Sequence, residues 1–339
     1  MLNCPVLFLI FNRPDTTKQV FEAIRKARPR QLFVAGDGAR TDVPGEIGRC
    51  DATREIIAGV DWDCEVKMLF REENLGYKMA VSSAITWFFE HVEHGIILED
   101  DCLPSDSFFT FCADLLERYK DEERIMMISG DNFQDGIRRG TASYFFTQIP
   151  HIWGWATWRR AWKSYDVSMR TLPAFIKEGL ANCISPNIDI RNYWLSAFIA
   201  TYEGRIDTWD YQWVYAILSC GRLSICPQVN MVKNIGFGTD STHTRDSTSR
   251  YACMKRFDIR EMIHPWFLSE EIPISHEADR YEFQVELGEN LSLPRINVFR
   301  WRKLLRKRKK TAHLVDTFLR SQSPCGSFEN TVGSQRYDM

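Results

Sequence analysis

The sequence predicts an α/β fold, a mainly parallel sheet flanked by helices with an elaboration toward its C-terminal side. Three observations carry that expectation. Short apolar runs alternate with amphipathic stretches from residue 5 to about residue 104, the pattern of βαβ units. Several of these runs stop abruptly at polar residues: Asn12-Arg13, Asp37, and Glu99-Asp100-Asp101. None approaches the roughly 18 residues that a membrane-spanning helix needs, so they read as buried strands and core faces. In right-handed βαβ sheets ligands bind beyond the carboxyl ends of the strands. Three polar groups far apart in the chain are therefore expected to line one crevice.

The elements follow in order. Pro5 to Phe11 is a buried-type strand, and Asp15 is placed to cap a helix carrying Val20, Phe21, Ile24 and Ala27 that ends before Pro29. Gln31 to Ala35 is a second strand opening into Gly36-Asp37-Gly38. A helix is expected over Gly48 to Ala58, and alternation from Cys64 to Phe70 predicts a third strand. After Asn74-Leu75-Gly76-Tyr77-Lys78, an amphipathic helix gathers Val81, Ala84, Ile85, Phe88, Phe89 and Val92 on one face. It leads into Gly95-Ile96-Ile97-Leu98 and the acidic run, closed by Pro104. Beyond it the pattern changes. A helix is expected over Ser105 to Tyr119 and a strand over Arg124 to Ser129, running into Gly130-Asp131-Asn132-Phe133. An aromatic block, His151 to Trp158 with Trp162 and Tyr165, precedes a helix from about Asn192 to Tyr202 and the segment Asp207 to Trp213. Val229 to Thr244 has the glycines and small polar residues of a mobile loop, and the chain from about Ser321 has a disordered composition.

Composition narrows the classes. Hydrophobic content of 44% and charged content of 26% are those of a globular protein. The ten cysteines show no CxxC pair and no zinc spacing, so reduced thiols in a cytoplasmic protein are expected. The start lacks the basic region of a signal peptide. The net charge of −2 hides an asymmetry: Arg300 to Lys310 holds eight basic and no acidic residues, so without it the chain carries −10. That argues against a general nucleic-acid binder and makes the basic stretch a local feature. The basic stretch, with Trp301, Leu304 and Leu305, reads as a peripheral anchor on an anionic membrane surface, with a nucleic-acid tail and a plain solvated helix as the competing readings.

Three adjacent carboxylates repel one another, and a folded chain keeps them together for a cation or a cationic partner. At the end of a buried strand the fitting cation is Mg²⁺ or Mn²⁺, hard ions that take oxygen ligands and bridge to phosphates. The competing reading is a solvated acidic turn. Trp209, Tyr211 and Trp213 flank Asp210, shielding that raises a carboxylate's pKa and suits a general base; a helix-capping aspartate is the alternative, and Asp207 is the nearby competitor. Trp158 and Trp162, at helix-like spacing, are expected in the core, and Trp155 beside Gly154 is the candidate to present a ring face to a ligand.

The ordered pieces VLFLIFNRP, the Asp37 turn, NLG, ILEDD, ISGDN, GWATW and TWDYQW resemble nucleotide-sugar glycosyltransferases of the GT-A fold. The likeness is to the N-acetylglucosaminyltransferase I type and to bacterial family 2, haemolysin-like transferases, and it covers roughly residues 5 to 245. It implies a Rossmann-like sheet and a DxD-type metal site with Asp101 as the protein ligand. Glu99 and Asp100 would contact ribose and donor-sugar hydroxyls, and Trp155 would offer its ring as a platform for the donor sugar. Asn12 and Arg13 would lie near the diphosphate or base, and Lys78 would pair with phosphate. Asp37, against the alternative of a simple Asp-Gly turn, would accept a uracil N3–H. Asp210 would be the base of an inverting transfer, and Gly236, Gly238 and His243 would belong to a lid closing over the diphosphate. Residues 1–245 are expected as the catalytic domain, with 1–104 binding nucleotide and 105–245 forming the acceptor half and lid. Residues 246–320 are expected as a helical, basic extension and 321–339 as a tail. The expected partners are a UDP-sugar and a glycan or glycolipid acceptor, in the assembly of bacterial surface polysaccharide or lipopolysaccharide at the inner face of the plasma membrane. Two other functions compete: a sugar-1-phosphate nucleotidyltransferase, which needs a Gly-rich, Arg/Lys-containing first loop that this chain lacks, and a sugar-nucleotide-binding or haemolysin-like interaction protein, which would need no base.

Overall fold

The computed structural model describes residues 1–185, 187–238, 249–266 and 271–289. His243, the basic stretch 300–310 and the tail 321–339 lie outside the described residues. An eight-stranded sheet forms the centre, in the order β3-β2-β1-β4-β8-β6-β9-β7. Its parallel half consists of β1 (Val6–Ile10), β2 (Gln31–Gly36), β3 (Glu65–Phe70) and β4 (His94–Glu99). Val6 lies opposite Leu32 on one side and Ile96 on the other, and Gln31 lies opposite Glu65. Three connections return the chain to this half: α1 (Pro14–Ala27), α2 (Glu46–Glu55) with a short 3₁₀ turn after it, and α3 (Tyr77–His91).

Beyond β4 the chain makes β5 (Cys102–Pro104), α4 (Phe108–Arg118), β6 (Ile125–Ser129), β7 (Tyr144–Thr147) and β8 (Trp155–Trp158). The short helices α5 (Arg159–Trp162) and α6 (Leu172–Lys177) then lead to α7 (Ile188–Tyr202), α8 (Asp210–Ser219), β9 (Leu223–Pro227), β10 (Val232–Asn234) and α9 (His276–Glu289). β8 enters the sheet antiparallel between β4 and β6, with Ala156 opposite both Ile96 and Ile128. β9 runs parallel to β6, and β7 is antiparallel to β9 at the edge. A separate ribbon pairs β5 with β10, Val232 opposite Pro104.

The period of two in β1 sorts the core. Val6, Phe8 and Ile10 face α1 and α4, together with Phe21, Ile24, Phe108 and Cys112. Leu7 and Leu9 face the other side, with Ala84, Ile85 and Phe88 of α3 and Trp213 and Ile217 of α8. All five β1 residues are buried, which is why the run reads as continuous rather than alternating. Each such side chain contributes about 1.5–3 kcal/mol by leaving water. Truncating Phe8 to alanine would cost about 3–5 kcal/mol.

Four expectations shift. α1 starts at Pro14 rather than after an Asp15 cap: proline at the first helical position needs no N–H partner, and Asp15 sits in the first turn near the positive helix end. α2 begins at Glu46, before the expected Gly48, and gives way at Ile56 to a 3₁₀ turn. α4 begins three residues later than expected, at Phe108. Trp155 to Trp158 form a strand, although the wider spacing of the tryptophans suggests helix. Trp158 and Trp162 are buried in the core as expected, Trp158 from the sheet and Trp162 from α5.

Candidate functional site

The loop after β1 and the acidic turn after β4 meet, because β1 and β4 are parallel neighbours whose carboxyl ends lie side by side. The Phe11 N–H donates to Asp100 Oδ2 at 3.1 Å, and Arg13 Nη1 donates to Asp101 Oδ2 at 2.7 Å. Arg13 also lies 4.0 Å from Asp100. One guanidinium thus serves two carboxylates. Burial first, then the charge of Asp101, raises Asp100 to about 7 against the pull of Arg13 and the Phe11 amide. Burial and the charges of Asp101, Asp100 and Asp210 push Glu99 well above the usual carboxylate range.

β10 returns across this turn. The Ile235 N–H donates to the Asp101 carbonyl at 2.8 Å, and Gly236 then passes directly over the Asp101 side chain. A Cβ at Gly236 would sit on Asp101 Oδ2 and lie 2.8 Å from Arg13 Nη1, so the crossing demands glycine. The expected lid thus begins as a strand fixed to β5, with Gly236 against the acidic turn.

A cleft of about 460 Å³ opens between the ends of β1 and β2 and the start of α3, lined among others by Phe11, Asp37, Arg40, Arg71, Asn74, Tyr77 and Asp207. Asp37 is at its mouth, and its carboxylate accepts from the backbone N–H of Leu75 (3.0 Å), the N–H of Gly76 (3.1 Å) and Asn74 Nδ2 (3.0 Å). It therefore ties the loop before α3 to the end of β2. The close approach that Gly38 permits is to the Glu73 backbone, not to a ligand. Asn12 turns away to donate to Glu46 Oε1 at 2.7 Å, and Arg40 donates to the same carboxylate at 2.5 Å. Lys78 faces Asp207 at 3.5 Å.

One hydrogen-bonded chain joins the two motifs that lie farthest apart in sequence. Trp209 Nε1 donates to the Tyr77 hydroxyl at 3.0 Å, and that hydroxyl donates to Glu99 Oε2 at 3.4 Å. Trp209 is fully buried and stacks on Trp155 at 5.7 Å. Trp155, 1% exposed, is a core residue behind the site and presents no face to a ring, contrary to its reading as a sugar platform. Asp210 opens α8 at the other end of this chain, its Oδ1 accepting from the Tyr211 N–H (2.7 Å) and the Thr208 hydroxyl (2.5 Å). Both readings of Asp210 remain: it sits in the first turn of the helix, and it lines a second cavity, of about 220 Å³, with aromatic walls.

The acidic turn suits a hard cation held partly by substrate. Mg²⁺ is commonly bound through one or two carboxylates plus substrate phosphates, and Asp101 and Asp100 supply that many. Among the described residues no group of three or more His, Cys, Asp or Glu side chains forms a self-sufficient metal cage. The fit is therefore to a metal that arrives with, or is completed by, a phosphate ligand.

Sequence reasoning missed several residues of this region. Tyr77, Glu46 and Arg40 organise it through the bonds just given. Asp131, His151 and Glu282 form the polar floor of the second cavity. The Gly130-Asp131-Asn132 turn at the end of a predicted strand was the available signal for Asp131. Glu282 carried none, because it lies in a helix after segments without clear periodicity.

No protein-family model matches the chain, and no curated relative does. Among solved structures it is similar to HddC from Yersinia pseudotuberculosis, at 9% identity and a TM-score of 0.30, over 48% of this chain and 80% of that one. It is also similar to a UDP-glucose pyrophosphorylase complexed with UDP-glucose, at 11% identity and a TM-score of 0.27, over 48% of this chain and 71% of that one. At those scores the likenesses carry no argument.

Proposed function

We propose that this chain is a metal-dependent glycosyltransferase that moves a sugar from a nucleoside-diphosphate donor, UDP by preference, to a glycan or glycolipid acceptor with inversion. The observation that carries the reading is the convergence of Arg13, Asp100 and Asp101 at the ends of β1 and β4, linked through Glu99, Tyr77 and Trp209 to Asp210. A departing diphosphate needs its charge neutralised as the anomeric carbon becomes cationic. The divalent ion supplies Lewis-acid neutralisation when bound. Asp101 would hold it, and Arg13, released from Asp101 by the arriving phosphates, would contact them directly. The cleft beside Asp37 would take the nucleoside, with Asn74 and Arg71 at its wall and Asp37 keeping the loop in place. Asp210 would receive the acceptor hydroxyl's proton, with Thr208 and the Tyr211 amide fixing its orientation.

The test is calorimetric titration of UDP, with GDP and CDP as controls, into wild type and Asp101→Ala with and without Mn²⁺. UDP binding that requires Mn²⁺ and vanishes in Asp101→Ala supports the reading and justifies a screen of UDP-sugars for transfer. Absence of binding by any nucleotide to well-folded protein across metals overturns it, and the interaction-protein function then leads.

A further inference from the structure

The second cavity has features that the donor site does not use. Its volume of about 220 Å³ is below the roughly 300–1,000 Å³ of pockets for drug-sized ligands, so it has room for one ring and not for a nucleotide. Asp131 lines it, 1% exposed; its own amide and that of Trp153 are directed at the carboxylate, but neither oxygen meets a donor in full hydrogen-bond geometry. A buried carboxylate in that condition is costly unless something completes it. Beside it, His151 Nε2 faces Glu282 Oε1, and the other Glu282 oxygen accepts from Gln134 Nε2 at 3.0 Å. Burial raises Asp131 to about 7, with the charge of Glu282 adding to it and His151 and the Asp131 and Trp153 amides pulling the other way.

The walls are aromatic. Phe133 meets His151, Trp153 and Tyr251 edge-on, with ring centroids at 4.6, 5.3 and 5.2 Å. The far wall comes from Tyr193 against Phe283 of α9 at 5.7 Å. Among the described residues no lysine or arginine lines the cavity, whereas Asp131, Glu282 and Asp210 all do. That charge balance rejects phosphate and other anions. The described residues offer no cluster for a metal either.

We infer that this cavity is a saccharide subsite for a single neutral pyranose ring, its hydroxyls held by the carboxylates of Asp131 and Glu282 and its flank packed on Phe133, Trp153 and Tyr251. Carboxylates accept several hydroxyls at once, and aromatic walls cover the ring's apolar C–H edges. Asp210 at the rim makes this the acceptor subsite, a step that rests on the transferase reading; saccharide binding itself does not. The subsite is composite. Asp131 and His151 come from the sheet side, Tyr251 from the 3₁₀ turn at Arg250–Cys253, and Glu282 and Phe283 from α9, so the C-terminal region takes part in choosing the acceptor.

The experiment titrates the full chain, without nucleotide, with methyl glycosides of glucose, galactose, mannose and N-acetylglucosamine. A methyl glucuronide and a methyl glucosaminide serve as the anionic and cationic comparisons. Binding is followed by calorimetry and tryptophan fluorescence, which Trp153 reports. At least one neutral glycoside is expected to bind, with tenfold or greater loss of affinity in Asp131→Asn and in Tyr251→Leu and with UDP affinity unchanged in both. Melting temperatures show that each variant is folded; Tyr251→Leu leaves the buried carboxylates intact and carries the test should Asp131→Asn fail to fold. No binding by any neutral glycoside, or preference for the uronide or the amino sugar over all of them, overturns the inference. UDP binding without glycoside binding refutes the subsite alone. Glycoside binding without UDP binding refutes the transferase reading and leaves the subsite standing.

Discussion

Gly236→Ala is the sharpest perturbation of the donor site, because it leaves every charged group in place. The new methyl group would overlap Asp101 Oδ2 and lie 2.8 Å from both Asp101 Cβ and Arg13 Nη1. Comfortable contacts between carbon atoms are about 3.5–4.0 Å, so something must move. The backbone resists, since the Ile235 N–H is bonded to the Asp101 carbonyl and the Gly236 N–H to Asn234 Oδ1, both at 2.8 Å. The carboxylate therefore rotates out of its bond with Arg13, or β10 lifts from β5. Overpacking of this kind costs about 1–3 kcal/mol. Expressed in the bound state, that weakens Mn²⁺-dependent UDP binding by roughly fivefold to a hundredfold, at 1.4 kcal/mol per factor of ten. Calorimetry measures the loss, and thermal melting shows how much appears as instability instead. Gly48→Ala is the control: nothing lies within 4 Å of a Cβ there, and alanine favours the helix by about 1 kcal/mol. Wild-type UDP affinity together with an unchanged melting temperature in Gly236→Ala would refute the crossing of Gly236 over Asp101.

Three further outcomes follow from the same geometry. Asp210→Asn keeps an oxygen for Thr208 and the Tyr211 amide, so UDP affinity should hold within about twofold while transfer falls about a hundredfold to ten-thousandfold; full turnover would remove Asp210 as the base. Tyr77→Phe strands the buried Trp209 Nε1 and should cost about 1–3 kcal/mol in urea unfolding, whereas an unaltered midpoint would mean that the Trp209–Tyr77–Glu99 chain does not form. Glu46, fully buried, is held down at about 2 chiefly by its hydrogen bond from Arg40, with the Arg40 amide and Asn12 assisting and burial opposing. Its stabilisation is therefore complete above the ordinary glutamate value of about 4.3 and is lost as pH falls through about 2. Glu46→Gln should cost about 1.5 kcal/mol near neutral pH, the low end for a charge-assisted bond because Arg40 is half exposed, and the gap from wild type should close in acid. A gap that stays constant through that range would show that the charge on Glu46 is not what holds Arg40.

The parallel half of the sheet was legible because its signals are local. Each strand is a short apolar run, each connection has helical periodicity, and each carboxyl end is marked by a polar residue that cannot continue the run. The swap of β8 between β4 and β6 was not legible. Register and neighbour order depend on pairings across 60 residues, such as Ile96 with Ala156, which leave no periodic trace in either segment. The same distinction applies to the site. Asp100, Asp101 and Arg13 could be placed together because strand ends in a parallel sheet share one edge. The pairing of Asn12 with Glu46 and the satisfaction of Asp37 by the Leu75 and Gly76 amides could not, since both depend on loop conformations set by tertiary contacts.

The tryptophans show why composition alone misleads at such a site. Trp155 and Trp209 stack on each other, fully buried, and Trp162 packs against both at 6.3 and 6.5 Å. Their function is to hold rigid the joint between β8, α5 and α8, from which Trp209 reaches Tyr77 and Asp210 faces the aromatic cavity. Rings available to a ligand lie elsewhere, at Phe133, Trp153 and Tyr251, where they border a cavity. A glycine separates the two groups: Gly154, at φ +67°, turns the chain between the half-buried Trp153 and the buried Trp155. Two tryptophans separated by one residue thereby serve opposite purposes, one lining the cavity and the other packed in the core, and the backbone turn between them decides which is which.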